Sequence, residues 1–151
     1  MALFNGLDDR KAEIIRGWPY DGSLDRYETI KSGSTLSNGD WVQKQNDIPN
    51  SVDKVGSTNT AANSAATGLV VVGNGDSGSA AYSGKAVVLW GNFIAKVYNF
   101  GAGTFTPGCP ITAKSGVIVP ATVGTDFVIG NCLDVGLAST TSNAYITVKL
   151  S

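Results

Sequence analysis

Residues 69–79 read LVVVGNGDSGS, and this stretch decides how the rest of the chain is interpreted. The apolar run 69–72 is rich in β-branched residues and has the length of a buried strand. The Asn74-Gly75 pair and Asp76 that follow are typical of a tight turn, because these residues accept positive φ and hydrogen-bond locally. We therefore predict a strand that ends in a turn and leads to a second strand.

The same stretch contains a Gly-x-Gly-x-x-Gly motif, Gly73–Gly78, which is typical of dinucleotide-binding sites. Such a site requires a helix directly after the glycines and an acidic residue about 20 positions further on. Here only five residues precede the next glycine, a second strand is predicted at Ala86–Trp90, and no acid occurs between Asp76 and Asp126. We expect no bound nucleotide and no other cofactor.

The overlapping Gly-Asp-Ser-Gly motif would place a nucleophile at Ser77, but the chain has no histidine to take its proton. A desolvated lysine can replace the histidine, and the candidate pairs are Ser77 with Lys85 and Ser115 with Lys114. In the predicted strands both lysines face solvent, where they stay protonated. The sequence therefore predicts a protein that is not an enzyme.

From residue 69 onward, short apolar strands alternate with glycine and proline turn signals. In the last strand, Ile146, Val148 and Leu150 point to one face. Tyr145, Thr147 and Lys149 point to the other. This alternation with a period of two residues is typical of a strand with one buried face. This pattern predicts an all-β fold, either a small β-barrel or a sandwich. The predicted strands are Leu69–Val72, Ala86–Trp90, Phe93–Phe100, Ile111–Thr112, Val117–Val119, Phe127–Leu133 and Tyr145–Leu150.

Charge divides the chain unevenly, because residues 1–54 carry 16 of its 23 charged side chains. Asp8–Arg16 predicts two turns of helix, and the segment around Trp18 and Tyr20 predicts an extended, partly irregular arm. Over Thr29–Val42 we expect two strands around turns, with the Asn38-Gly39 turn before a short strand. We divide the chain into an arm with the first strands (1–54), a small polar surface loop (55–68) and a β-body (69–151).

Composition narrows the class of partner. The net charge of −1 and the isoelectric point of 5.2 give no general attraction for nucleic acid or anionic lipid. No long apolar run predicts a membrane span or a signal-peptide core, so we expect a soluble protein made in a cytoplasm. A protein or a glycan is the expected partner.

Metal binding is not predicted either. Cys109 and Cys132 lie 23 positions apart, which matches no zinc or redox spacing, so the default is two reduced thiols, with their pairing left open. Calcium binding through Asn74 and Asp76 would need more oxygen ligands than the stretch supplies.

The C-terminal part resembles a family in its order of motifs. The motifs are Asn92–Val97, Pro107-Gly108-Cys109-Pro110-Ile111, Lys114–Ile118, Val128–Leu133 and Ala144–Leu150. Over about residues 92 to 150 the chain is similar to small capsid decoration (cement) proteins of tailed bacteriophages. The resemblance implies a β-barrel-like body that binds the outside of a phage head as a homo-oligomer, a dimer or trimer, at junctions of the major capsid protein.

The resulting expectation is a structural virion protein at the capsid surface that stabilises the shell without catalysis. The alternative is a receptor- or glycan-binding module of a phage tail or spike, with Trp41 or Trp90 as a stacking platform. In the first case the partners are the major capsid protein and copies of the chain itself. The predicted interface residues are Arg10, Arg16, Trp18, Tyr20, Arg26 and Tyr27, with the aromatic residues as anchors and the arginines supplying complementary charge.

Overall fold

The computed structural model describes residues 12–16, 24–47, 50–59, 67–76, 84–136 and 144–151. In these ranges the secondary structure is β, which confirms the predicted all-β class. The strands are β1 (Ala12–Arg16), β2 (Leu24–Thr29), β3 (Trp41–Lys44), β4 (Val52–Lys54), β5 (Thr67–Val72), β6 (Lys85–Trp90), β7 (Ile94–Val97), β8 (Pro110–Lys114), β9 (Val117–Pro120), β10 (Gly130–Val135) and β11 (Ile146–Leu150).

The strands form two antiparallel sheets that pack together. One sheet has six strands in the order β1-β7-β11-β10-β8-β9, and the other has five in the order β2-β6-β5-β3-β4. Across the described ranges the sheets do not close into a barrel, so the sandwich is the correct one of the two predicted architectures. Strands from before residue 54 and after residue 69 lie side by side in both sheets.

The main core lies between the sheets. In β11 the residues predicted to face the core, Ile146, Val148 and Leu150, are buried there and Lys149 is exposed, but Thr147 on the opposite face is buried as well. From the five-stranded sheet, Trp41 stacks on Phe93 with ring centroids 6.2 Å apart and an interplanar angle of 16°. Burial of this apolar area is the main contribution to stability.

A second apolar cluster covers the opposite face of the five-stranded sheet. Leu36, from the loop between β2 and β3, packs there against Val42, Val70 and Val88. Both faces of β5 are therefore buried, which explains why residues 69–72 form an unbroken apolar run instead of an alternating one.

The predicted helix at Asp8–Arg16 is wrong for its described half, because residues 12–16 form strand β1. Ala12 and Ile14 contact the main core, and the strand pairs with β7, with Ile14 opposite Ala95. In so short a segment, the backbone hydrogen bonds to β7 stabilise a strand more than helix propensity stabilises a helix. The β-branched isoleucines also favour the strand.

The turn at residues 73–76 is confirmed, but its predicted backbone geometry is wrong. Positive φ is found at eight other glycines of the described chain and not at Gly73 or Gly75. These two glycines are instead required by close approach, since a Cβ atom at Gly73 would lie 2.0 Å from the carbonyl oxygen of Leu36. Asn74 and Asp76 hold the same loop, because Asn74 Oδ1 accepts from the Leu36 N–H (2.8 Å) and Asp76 from the Asn38 N–H (2.9 Å).

Two further local predictions can be compared with the structure. The turn at Asn38-Gly39 is present and the short strand β3 follows it, whereas the preceding strand, β2, ends at Thr29 and residues 31–37 form a loop. The predicted polar surface loop contains a buried residue, Asn59, whose side chain bonds Gln43 of one sheet (3.1 Å) and Thr112 of the other (3.4 Å). Asn59 is buried because it links the two sheets.

Candidate interaction surface

The predicted interface residues fall largely at the limits of the described chain. Arg10, Trp18 and Tyr20 lie outside the described residues. The main chains of Arg16 and Arg26 belong to β1 and β2, respectively. Tyr27 is described in full, and its side chain is 62% exposed. The assignment of all six to an interface stays a prediction.

Tyr27 occupies an unusual position for an exposed aromatic residue. It lies on β2, an edge strand of the five-stranded sheet, directly opposite Val87. Val87 packs against the main core, so Tyr27 is on the side of the sheet that faces the sandwich interior, yet it remains mostly exposed at the edge. This arrangement places a large ring where a partner can cover it.

The neighbouring residue, Glu28, is buried, in contrast to Tyr27. Its carboxylate is buried on the other face of the sheet, where it accepts hydrogen bonds from Lys44 Nζ and from Trp90 Nε1 (3.2 Å). The Trp90 ring lies against Gly68, where an added Cβ would come within 2.8 Å of the ring. A buried carboxylate bonded to both an ammonium and an indole N–H fixes the position of Trp90.

This geometry bears on the two tryptophans considered as glycan platforms. Trp41 is fully buried in the core and has no exposed ring face, so it cannot stack on a sugar. Trp90 is half-buried and its indole N–H is bonded to Glu28. Of the two residues, only Trp90 keeps any exposed surface.

A second aromatic group lies at one end of the six-stranded sheet. We call Lys96, Tyr98 and Tyr145 the tyrosine cluster. The two tyrosine ring centroids are 6.0 Å apart, and Lys96 Nζ lies 4.7 Å from the centroid of Tyr145. The ring of Tyr145 covers Gly136, where a Cβ would lie 2.4 Å from it, so the absence of a side chain at Gly136 lets the ring lie flat. Tyr98 is 36% exposed.

The surface around this cluster combines charge with apolar groups. The strand register places Glu13, Lys96, Thr147 and Asp134 in one cross-strand row on the outer face. Four of the seven large apolar residues that are exposed in the described chain belong to this sheet or to its strand ends. They are Ile15, Tyr98, Leu133 and Val135.

Sequence reasoning missed the tyrosine cluster as a group. The alternation predicted for the last strand placed Tyr145 on the face opposite the core-facing residues. The proximity of Tyr145 to Lys96 depends on β11 pairing with β7, which brings together segments about 50 residues apart and leaves no local signal.

The residues proposed for lysine-assisted serine chemistry have structural roles where they are described. Ser115 adopts φ of +52° in the two-residue turn between β8 and β9, and Lys114 Nζ lies 2.8 Å from Asp126 Oδ1. The ion pair with Asp126 gives Lys114 a structural role. Lys85 Nζ donates to Thr29 Oγ1 (2.8 Å), and Ser77 lies outside the described residues.

Asp40 is a mostly buried acid with a raised pKa, a property that active-site carboxylates often share. Burial is the main cause, opposed by the Ser37 N–H that donates to Oδ2 (2.8 Å) and by Lys54 Nζ 3.6 Å away. Because the Asp40 N–H also donates to the Ser37 carbonyl (3.0 Å), the residue closes the turn that precedes β3. We therefore assign Asp40 a structural role, which is to hold this turn in place.

Metal binding at Asn74 and Asp76 competes with the hydrogen bonds described above. Asp76 Oδ2 also accepts from the Gly73 N–H (2.7 Å), so the oxygens that a cation would need are bonded to backbone amides. Among the residues that the structure describes, no group of three or more histidine, cysteine or acidic side chains could hold a metal ion.

The ion pair of Asp126 with Lys114 makes stability depend on pH. The hydrogen bond from Lys114 and the Thr122 N–H hold the pKa of Asp126 below its usual value. A lowered pKa contributes stability that is present above the unfolded-state pKa, about 4, and is lost as pH falls through the folded-state pKa. We expect Asp126→Asn to lower the free energy of unfolding by about 2 kcal/mol at about pH 7, and much less at about pH 2.

Urea denaturation of the wild type and of Asp126→Asn at both pH values measures this difference. Asp134→Asn is the control, because Asp134 is exposed and its carboxylate bonds only the adjacent Val135 N–H in the described chain (2.9 Å). Equal losses for the two variants, or a loss at Asp126 that does not shrink in acid, would contradict the assignment.

Comparison of the chain with protein-family models, with curated proteins and with solved structures finds no significant match. Over the described ranges no helix has the length and apolar character of a membrane span.

Proposed function

We propose that this chain is a structural virion protein that binds the outer surface of a phage capsid and stabilises the shell through contacts with the major capsid protein and with copies of itself. The observation that supports this most directly is the pair of exposed aromatic sites on different sheets, Tyr27 and the tyrosine cluster. A protein that joins a shell and a neighbouring copy needs two separate contact surfaces, and tyrosine is enriched at such surfaces.

The similarity of residues 92–150 to capsid decoration proteins supports the same proposal. It spans β7 to β11, and the tyrosine cluster lies within it. The open sandwich departs from the barrel-like body that this resemblance implies. Stabilisation would follow from mass action, because a protein that binds only the assembled shell opposes its rupture.

Binding to assembled heads tests the proposal. Purified protein is mixed with shells of the encoding phage that lack it, and association is measured by co-sedimentation and by the temperature of shell rupture. We expect stoichiometric binding and a higher rupture temperature. Tyr27→Ala should weaken binding about tenfold, because the side chain is mostly exposed and available to a partner. The thermal midpoint of the free variant, measured in parallel, separates a loss of binding from a loss of stability.

Val123→Ala is the matched control, since Val123 is 75% exposed but lies in the loop between β9 and β10. It should bind as the wild type does. Absence of association, with equal rupture temperatures with and without protein, would refute the proposal. Binding to a glycan array that is lost in Trp90→Ala, without association with heads, would instead support the receptor- or glycan-binding module.

A further inference from the structure

The two cysteines face each other across neighbouring strands. The register between β10 and β8 pairs Gly130 with Ile111 and Asn131 with Pro110. One step beyond these pairs, the Cys132 N–H donates to the Cys109 carbonyl (2.8 Å) and the Cys132 carbonyl accepts from the Gly108 N–H (2.7 Å), which brings the backbones of the two cysteines side by side. Residues directly opposite in an antiparallel pair point to the same face, with a separation that a disulfide can bridge.

The side chains agree with this backbone geometry. Cys132 is buried in the main core, and Cys109 is half-buried and packs against the same core. Burial is the main cause that raises the pKa of the Cys132 thiol, and the adjacent Cys109 adds to it. In the structure the Cys132 thiol donates to the Asp134 carbonyl (3.4 Å). Both cysteines are free thiols, and both side chains pack against the same core.

We propose that Cys109 and Cys132 form a disulfide-forming pair that is closed by a small disulfide oxidant such as oxidised glutathione. The half-exposed Cys109 attacks first as a thiolate, which forms a mixed disulfide and releases one glutathione thiolate. Cys132 then loses its proton and attacks the Cys109 sulfur, and the second glutathione leaves. Two electrons and two protons pass from the cysteines to the oxidant, which becomes two molecules of reduced glutathione.

A disulfide at this position would tie the β8–β9 hairpin to β10 and stabilise the fold. Only two register pairs join β10 to β8, whereas β8 and β9 form a hairpin at the edge of the sheet. A bond between residues 109 and 132 spans this short ladder and encloses the whole hairpin. Because the enclosed segment is long, closing it removes much conformational freedom from the unfolded chain.

Oxidation of the purified full chain by glutathione disulfide tests the pair. Intact mass spectrometry should show the loss of two hydrogens per chain, and a non-reducing peptide map should contain the 109–132 cross-link. The thermal midpoint should rise by about 5 to 10 °C and return after reduction. Cys132→Ala should instead accumulate a stable glutathione adduct at Cys109.

Three outcomes would overturn the proposal: a wild-type chain that keeps both thiols, one that stops at the glutathione adduct, or one that forms only intermolecular disulfides. If Cys132→Ala does not fold, the wild-type mass and peptide map still decide the matter. The timing of closure rests on the proposed function, because a virion protein meets oxidants only after it leaves the reducing cytoplasm. The test in solution is independent of head binding, so either idea can fail alone.

Discussion

Gly73→Ala should lower the free energy of unfolding by about 3 kcal/mol or more, although it adds a single methyl group. The new Cβ would lie 2.0 Å from the carbonyl oxygen of Leu36 and 2.5 Å from its carbonyl carbon. Both atoms belong to the backbone and cannot rotate away. The strand end and the loop would have to separate, which would displace Leu36 from the second apolar cluster.

Separation would also break the hydrogen bonds that hold this loop. The Gly75 N–H donates to the Leu36 carbonyl (2.8 Å), and Asn74 and Asp76 bond the loop from the same turn. These groups would be left without partners in a half-buried setting, so their loss adds to the steric cost. Guanidinium or urea denaturation of the purified variant measures the total effect.

Gly56→Ala provides the matched control. No atom lies within 4 Å of a Cβ at Gly56, and the residue is exposed with φ outside the left-handed region. Its free energy of unfolding should stay within about 0.5 kcal/mol of the wild type. If Gly73→Ala were as mild as this control, the close approach of the loop to the turn would be wrong.

Trp41→Ala should cost about 3 to 5 kcal/mol, because it removes the largest fully buried side chain of the described core. The ring contributes apolar area from β3 of the five-stranded sheet and stacks on Phe93. The cavity that replaces it would be bordered by strands of both sheets, which cannot collapse without disturbing their hydrogen-bonded ladders. We expect the variant to be near its unfolding midpoint at low urea concentrations.

Trp41→Phe separates the two properties of this side chain. Trp41 Nε1 is buried and has no hydrogen-bond partner in the structure, which is itself unfavourable. Phenylalanine keeps a ring against Phe93, loses some volume and removes the unpaired N–H, so the net cost should be about 1 kcal/mol. A cost close to that of Trp41→Ala would show that the indole N–H is satisfied in solution.

Several parts of the fold follow from the sequence for local physical reasons. The alternation in residues 145–150 and the apolar run at 69–72 identify strands because burial imposes these patterns directly. The helix predicted at residues 8–16 fails in its described half because pairing with β7 is a long-range event. The turn after residue 72 was predicted correctly, but the positive φ expected at Asn74, Gly75 and Asp76 is absent. The glycines of this turn are required by close approach to residues 35–37, which are distant in sequence.

The candidate surface was predictable only in part. Tyr27 was chosen as an aromatic residue in a charged segment, and its exposure is consistent with that choice. The tyrosine cluster depends on which strands become neighbours, so outward orientation alone did not group Tyr98 with Tyr145. Whether Cys109 and Cys132 pair was left open for the same reason, because a separation of 23 residues in sequence carries no information about strand register.

The position of β11 in the six-stranded sheet has a consequence for the order of folding. This strand is the last along the chain, yet it lies between β7 and β10 and pairs with both. The centre of that sheet therefore cannot form until residue 150 has left the ribosome, and its earlier strands must wait unpaired on that side. Such non-local pairing slows folding, and the unpaired edges of β7 and β10 are open to aggregation until β11 is in place.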